Sequence, residues 1–199
     1  METKQGGRPR GFDADAALDR AMLVFWEHGY EGASLATLTQ AMGISTTSMY
    51  AAFGNKEELF RRALERYTDV PSAYLVEALA EPTALGTATA ILAGTVRTTT
   101  QPDNPHGCMG VQGALAVGDA GQAVRDLLIA WRQNGYAQVR ARFQRAVDEG
   151  ELPAECDPGL LARYVTTLAY GIAVSAATGV CREELQALAD AALRAWPIL

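Results

Sequence analysis

Cysteine is scarce in this 199-residue sequence, where Cys108, Cys156 and Cys181 stand alone without any Cys-x-x-Cys spacing. An odd, scattered set excludes a disulfide scaffold and a thiolate metal cage. Histidine is scarcer, with only His28 and His106, and no carboxylates cluster near either. No metal and no cofactor is therefore expected. Long apolar runs are also missing: the stretches 166–180 and 87–96 are too short, or too rich in Thr, Ser and Gly, to cross a bilayer as about 20 apolar residues. Since no apolar segment follows the charged start at residues 1–10, the chain reads as cytoplasmic with reduced thiols and no membrane partner. Nucleophile–base pairs, phosphate-binding glycine loops and paired carboxylates are absent as well, so the chain does not read as an enzyme.

What is present is a hydrophobic fraction of 49%, enough for a sizeable core, and a net charge of −6. The charge is unevenly spread: residues 1–67 hold 8 basic and 9 acidic side chains, against 9 and 14 in residues 68–199. Acidity argues against nonspecific coating of nucleic acid, but not against a small site that reads DNA with uncharged side chains.

Apolar spacing is helical throughout, with no alternating strand pattern, and predicts an all-α fold. Asp13 caps a first helix carrying Ala17, Leu18, Ala21, Met22, Phe25 and Trp26, which stops at Gly29. Ser34 caps a short helix with Leu35, Leu38 and Met42, ended by Gly43. Ser45 caps another with Met49 and Phe53. Asn55 opens a fourth, with Glu57 and Glu58 in its first turn, that kinks or ends near Pro71. Further helices are predicted over 83–100, 108–117, 122–149, 157–178 and 182–195, with a loop at 101–107.

Residues 34–53 thus read as helix, tight turn, helix, with Met49 and Phe53 inward and Thr46, Thr47, Ser48, Tyr50 and Ala51 outward. That is the layout of a recognition helix in a major groove, where hydroxyls meet base edges or phosphates and methyl groups meet thymine. No acidic residue lies between 32 and 55 to repel phosphate. The same pattern also fits a plain bundle in which Ser45 and its neighbours only cap a helix.

A resemblance separates these readings. Phe25, Gly29-Tyr30, Ser34, residues 41–45 (AMGIS), Met49-Tyr50, Phe53 and residues 55–59 (NKEEL) resemble, over residues 11–67, the N-terminal domain of the tetracycline-repressor-like (TetR/AcrR) family. The resemblance implies phosphate contacts at Ser34, Tyr50 and Lys56 and base contacts at Thr46, Thr47 and Ser48. Ala52 and Ala36 depart from the family pattern, which often has His or Tyr at the first and a larger or charged residue at the second. Fewer backbone contacts are expected there. The basic arm, with Arg8 and Arg10 around Pro9, resembles a Gly-Arg-Pro core that enters A·T-rich minor grooves.

The expected organisation is a mobile basic arm at 1–12, a helix-turn-helix DNA-binding domain at 13–67 and a ligand-binding and dimerisation bundle at 68–199. One short helix contacts few bases, so two copies about 34 Å apart are expected on a palindromic operator of double-stranded DNA. Homodimerisation is assigned to the last two helices: Leu160, Leu161, Tyr164, Val165, Leu168, Ile172 and Val174, with Leu185, Leu188, Ala192 and Trp196. Ala169, Gly171, Ala173 and Ser175 permit close approach. A pocket for a small-molecule effector is expected from Tyr74, Val96, Met109, Gln112, Leu115, Trp131, Tyr136 and Thr167, apolar walls with few polar groups. Gly107, Gly110 and Gly113 suggest close packing first and a cavity wall second. The function expected is a repressor released from its operator by that effector. Two alternatives remain: redox sensing through Cys108, and a dimeric ligand-binding or interaction module without DNA binding.

Overall fold

In a computed structural model, residues 12–112 and 121–196 are described, and every regular element among them is an α-helix. The carboxylate of Asp13 starts α1 (Ala14–Gly32) by accepting from the N–H groups of Asp15 and Ala16. At Gly29 (φ 68°, ψ 180°) the helical winding breaks in a conformation open essentially to glycine alone, before one further turn. Ser34, Ser45 and Asn55 then cap α2 (Leu35–Met42), α3 (Thr46–Phe53) and α4 (Lys56–Asp69). Each cap oxygen accepts from the N–H three residues on, satisfying one of the four donors a helix start leaves unpaired.

Beyond Pro71 the chain forms α5 (Tyr74–Leu79), a helix the apolar spacing did not announce. It has six residues, too few to show a period. Next come α6 (Ala84–Thr99), α7 (Met109–Gln112), α8 (Gln122–Asp148), α9 (Pro158–Ala177) and α10 (Arg182–Arg194). Four of these match the helices expected over 83–100, 122–149, 157–178 and 182–195 closely; α7 falls within the helix expected over 108–117, of which residues 113–117 lie outside the described residues.

Two clusters of buried side chains hold the fold. The first joins α1–α4 through Phe25, Trp26, Leu38, Met49, Phe60 and Tyr67, with edge-on ring contacts between Phe25 and Phe60 at 5.0 Å and between Trp26 and Tyr67 at 4.8 Å. It continues into the rest of the chain through Cys108, Met109, Val124 and Leu128. The second joins α6, α8, α9 and α10 around Leu92, Phe143, Leu161 and Ile172. Burying each Leu- or Phe-sized side chain contributes about 1.5–3 kcal/mol. Polar anchors tie α1 and α4 to the rest of the chain: the Trp26 indole donates to the Gly107 carbonyl at 3.0 Å and the Trp131 indole to the Thr68 hydroxyl at 2.8 Å. Gly110 packs so tightly on Trp131 that an added Cβ would come within 2.3 Å of the ring. The close-packing reading of that glycine holds, while Gly113 lies outside the described residues.

Much of the surface assigned to an interface proves to be core. Leu161, Val165, Ile172 and Leu185 are buried inside the chain. What α9 and α10 leave outward is Leu160 (50% exposed), Val174 (39%) and Leu188 (48%), with Thr167 and Gly171 also exposed between the two α9 residues. At 20 residues and a mean hydropathy of 1.3, α9 is long and apolar enough to span a bilayer, contrary to the sequence reading. Its Leu161, Val165 and Ile172 side instead faces the second cluster, as a core helix does.

Candidate nucleic-acid interface and interior cavity

The geometry of α3 is set before it by Gly43 and Ser45. Gly43 adopts the left-handed conformation (φ 68°, ψ 30°), and the N–H groups of Gly43 and Ile44 close back onto the Gln40 and Thr39 carbonyls. Ser45 then receives the Ser48 N–H at 3.1 Å. Buried Leu38 and Met42 of α2 and Met49 and Phe53 of α3 fix the two helices against the first cluster. Consequently Thr46, Thr47, Tyr50 and Ala51 are exposed, and Tyr50 keeps 45% of its surface in solvent.

Ser34 and Ser48 are partly committed. The Ser34 hydroxyl caps α2 and hydrogen-bonds Thr37 Oγ1 at 2.8 Å, and the half-buried Ser48 hydroxyl pairs with Ser45 Oγ at 2.9 Å. Lys56, at the first turn of α4, places its ammonium 4.4 Å above the Tyr30 ring. Burial there pushes its pKa down, opposed by the charge of Glu31. Tyr30 is a member of this surface that sequence reasoning did not assign, although its place beside Gly29 was noted. Phe12 lies with Ser45, Ser48 and Ala51 around a shallow depression of about 480 Å³, so the chain enters beside α3. Arg8 and Arg10 lie outside the described residues.

A cavity of about 170 Å³ opens between α4, α5, α8 and α9. Of the eight expected pocket residues, Tyr74 and Trp131 line it. Val96 and Met109 are each only 1% exposed and belong to the second and first clusters. Gln112 faces a different depression beside the 101–107 loop, and Tyr136 is held by Arg163 over its ring and a hydrogen bond to the Gly159 carbonyl. Thr167 is exposed, whereas its neighbour Thr166 lines the cavity. Leu115 lies outside the described residues. Sequence reasoning missed Thr68, Ser72, Asn134, Gln138 and Tyr170. Trp131, Asn134 and Gln138 recur at three and four along α8, a face the helical period could have disclosed.

The Cys108 thiol is buried against the Tyr67 hydroxyl at the start of α7, and burial pushes its pKa up despite the hydrogen bonds from Tyr67, Val111 and Gly110. Among the described residues no group of His, Cys, Asp and Glu could hold a metal ion.

A capped helix-turn-helix presenting an acid-free reading helix, joined to a helical bundle, defines a DNA-binding transcriptional regulator. Comparison with known proteins specifies which kind. Residues 17–63 match the family described as bacterial regulatory proteins, tetR family, and residues 84–191 match the tetracyclin repressor-like C-terminal domain. The chain is 36% identical to the HTH-type transcriptional repressor ComR of Escherichia coli K12, covering 98% of this chain and 94% of that one. A cysteine mutant of the TetR family regulator CifR, solved with a 26-base-pair double-strand operator DNA, is 45% identical with a TM-score of 0.91. That match covers 96% of this chain and 100% of the other. A putative TetR regulator from Rhodococcus sp. RHA1 is 42% identical with a TM-score of 0.62, covering 92% and 97%. The chain belongs to the TetR family and is a helix-turn-helix transcriptional repressor, not an enzyme.

Proposed function

We propose that the chain works in the cytoplasm as a homodimer that holds a palindromic operator until a small molecule enters the interior cavity. The observation that carries this reading is the exposed hydroxyl and methyl face of α3, fixed by the Gly43 turn and the Ser45 cap. Thr46, Thr47 and Ser48 contact bases. Ser34, Tyr50 and Lys56 contact phosphates, and Arg8 and Arg10 reach the adjoining minor groove from the arm. Residues 1–12 serve as that arm, 13–67 as the reading domain and 68–199 as the sensor and dimerisation domain. Leu160, Val174 and Leu188 meet their copies across the dimer. The CifR relative's operator complex supports DNA as the partner.

Coupling runs along α4. Its first turn carries Lys56, and Thr68 and Ser72 at and beyond its other end line the cavity. At 1.5 Å per residue, the 14-residue helix links cavity and DNA surface over about 20 Å. A ligand that prefers one tilt of α4 shifts the population of operator-competent dimers by its differential affinity for the two states. The thiol alternative is less well supported, because burial keeps Cys108 protonated and thiolate is the reactive form. Fluorescence anisotropy with DNA from the upstream region of the protein's own gene tests the reading. Replacing Thr46 and Thr47 by Ala should weaken binding by about 1–3 kcal/mol per residue and reduce discrimination against a scrambled duplex. Equal affinity for both duplexes in the unmutated protein would contradict it.

A further inference from the structure

We propose that the cavity between α4, α5, α8 and α9 takes an uncharged, mostly hydrocarbon molecule bearing a hydroxyl or carbonyl group at its solvent-facing end. This rests on the effector reading above and names the ligand class. No Asp, Glu, Lys, Arg or His lines the cavity. Two arginines on its helices are engaged elsewhere: Arg132 donates to the Gly110 carbonyl at 3.0 Å, and Arg163 lies 3.9 Å over the Tyr136 ring. No ionised side chain in the lining is placed to replace the hydration that a ligand charge would lose.

The inner polar groups are already paired. Tyr74 and Thr95 share a hydrogen bond at 3.0 Å, the Trp131 indole is held by Thr68, and Thr166 donates to the Ala162 carbonyl at 2.8 Å. Burial pushes the Tyr74 hydroxyl up to about 12, so it offers no negative charge to a cation. Buried Ile91, Val139 and Ala169 complete an inner wall suited to hydrocarbon. The mouth differs. Asn134 and Gln138, one turn apart on α8, are exposed and, among the described residues, without a hydrogen-bond partner. A carboxamide both donates and accepts, which suits a hydroxyl or carbonyl. Gly135 stands between them, and a Cβ there would meet nothing within 4 Å.

Calorimetric titration of the full chain with para-ethylbenzyl alcohol, para-ethylbenzoate and para-ethylbenzylamine tests the inference. The alcohol should bind saturably, and the carboxylate and the amine at least about tenfold more weakly. Gly135→Leu, whose Cβ has open space at the mouth, should remove alcohol binding while leaving the melting transition intact. Equal or tighter binding of either charged compound overturns the inference. So does saturable binding by none of the three, or alcohol binding unchanged in Gly135→Leu. Alcohol that binds the cavity yet leaves operator affinity unaltered would support the ligand class and contradict the effector reading, so the two fail separately.

Discussion

The Ser45 hydroxyl accepts the Ser48 N–H and hydrogen-bonds the Ser48 side chain, so it both starts the reading helix and orients a neighbour. Ser45→Ala should cost about 1 kcal/mol of stability, measured by chemical denaturation, and should weaken operator binding further by loosening the first turn of α3. Such caps were legible from the sequence. Asp13, Ser34, Ser45 and Asn55 each act as the cap that local chemistry predicts, and Thr83 and Asp157 cap α6 and α9 in the same way. Cavity residues were not, because side-chain type does not reveal which way a residue faces. Met109 and Tyr170 are equally plausible linings, yet only Tyr170 faces the cavity.

Helix contacts are organised by a few polar links as well as by apolar packing. The Arg142 side chain on α8 is 3% exposed; it donates to the Glu81 carbonyl at 3.1 Å and pairs with Glu151 at 3.6 Å. Glu151 in turn accepts from the Ala84 N–H at the start of α6. Removing one partner strands a buried charge, so Glu151→Ala should destabilise the second cluster by about 3 kcal/mol, seen as a lower melting temperature. Cys108 should resist iodoacetamide at pH 8 while exposed Cys181 reacts, as peptide mass mapping of the folded protein would show. The pKa shift has a sign that matters here: a raised thiol pKa means less thiolate at any pH below it. Rapid alkylation of Cys108 would revive the thiol alternative. At this scale the long helices were legible because several turns display a period; α5, with one and a half turns, was not.

For the whole molecule, the net charge of −6 describes chiefly residues 68–199, which carry −5 against −1 in residues 1–67. Nonspecific DNA affinity should accordingly be low, and specificity must come from a few contacts made twice. The proposed dimer face is only half legible in the sequence, since Leu160 and Leu161 are alike in chemistry while one is 50% exposed and the other 0%. Leu160→Glu combined with Leu188→Glu replaces exposed side chains only. It should leave the fold intact, yield monomers in sedimentation and abolish high-affinity operator binding. Dimers that persist would move the interface elsewhere.

The central claim, that two reading helices grip one operator, is tested most directly by footprinting the DNA upstream of the protein's own gene across a salt series. Two protected half-sites about one helical turn apart, lost as salt rises, are the predicted result. Absence of protection at every salt concentration, or protection without sequence preference, would contradict it.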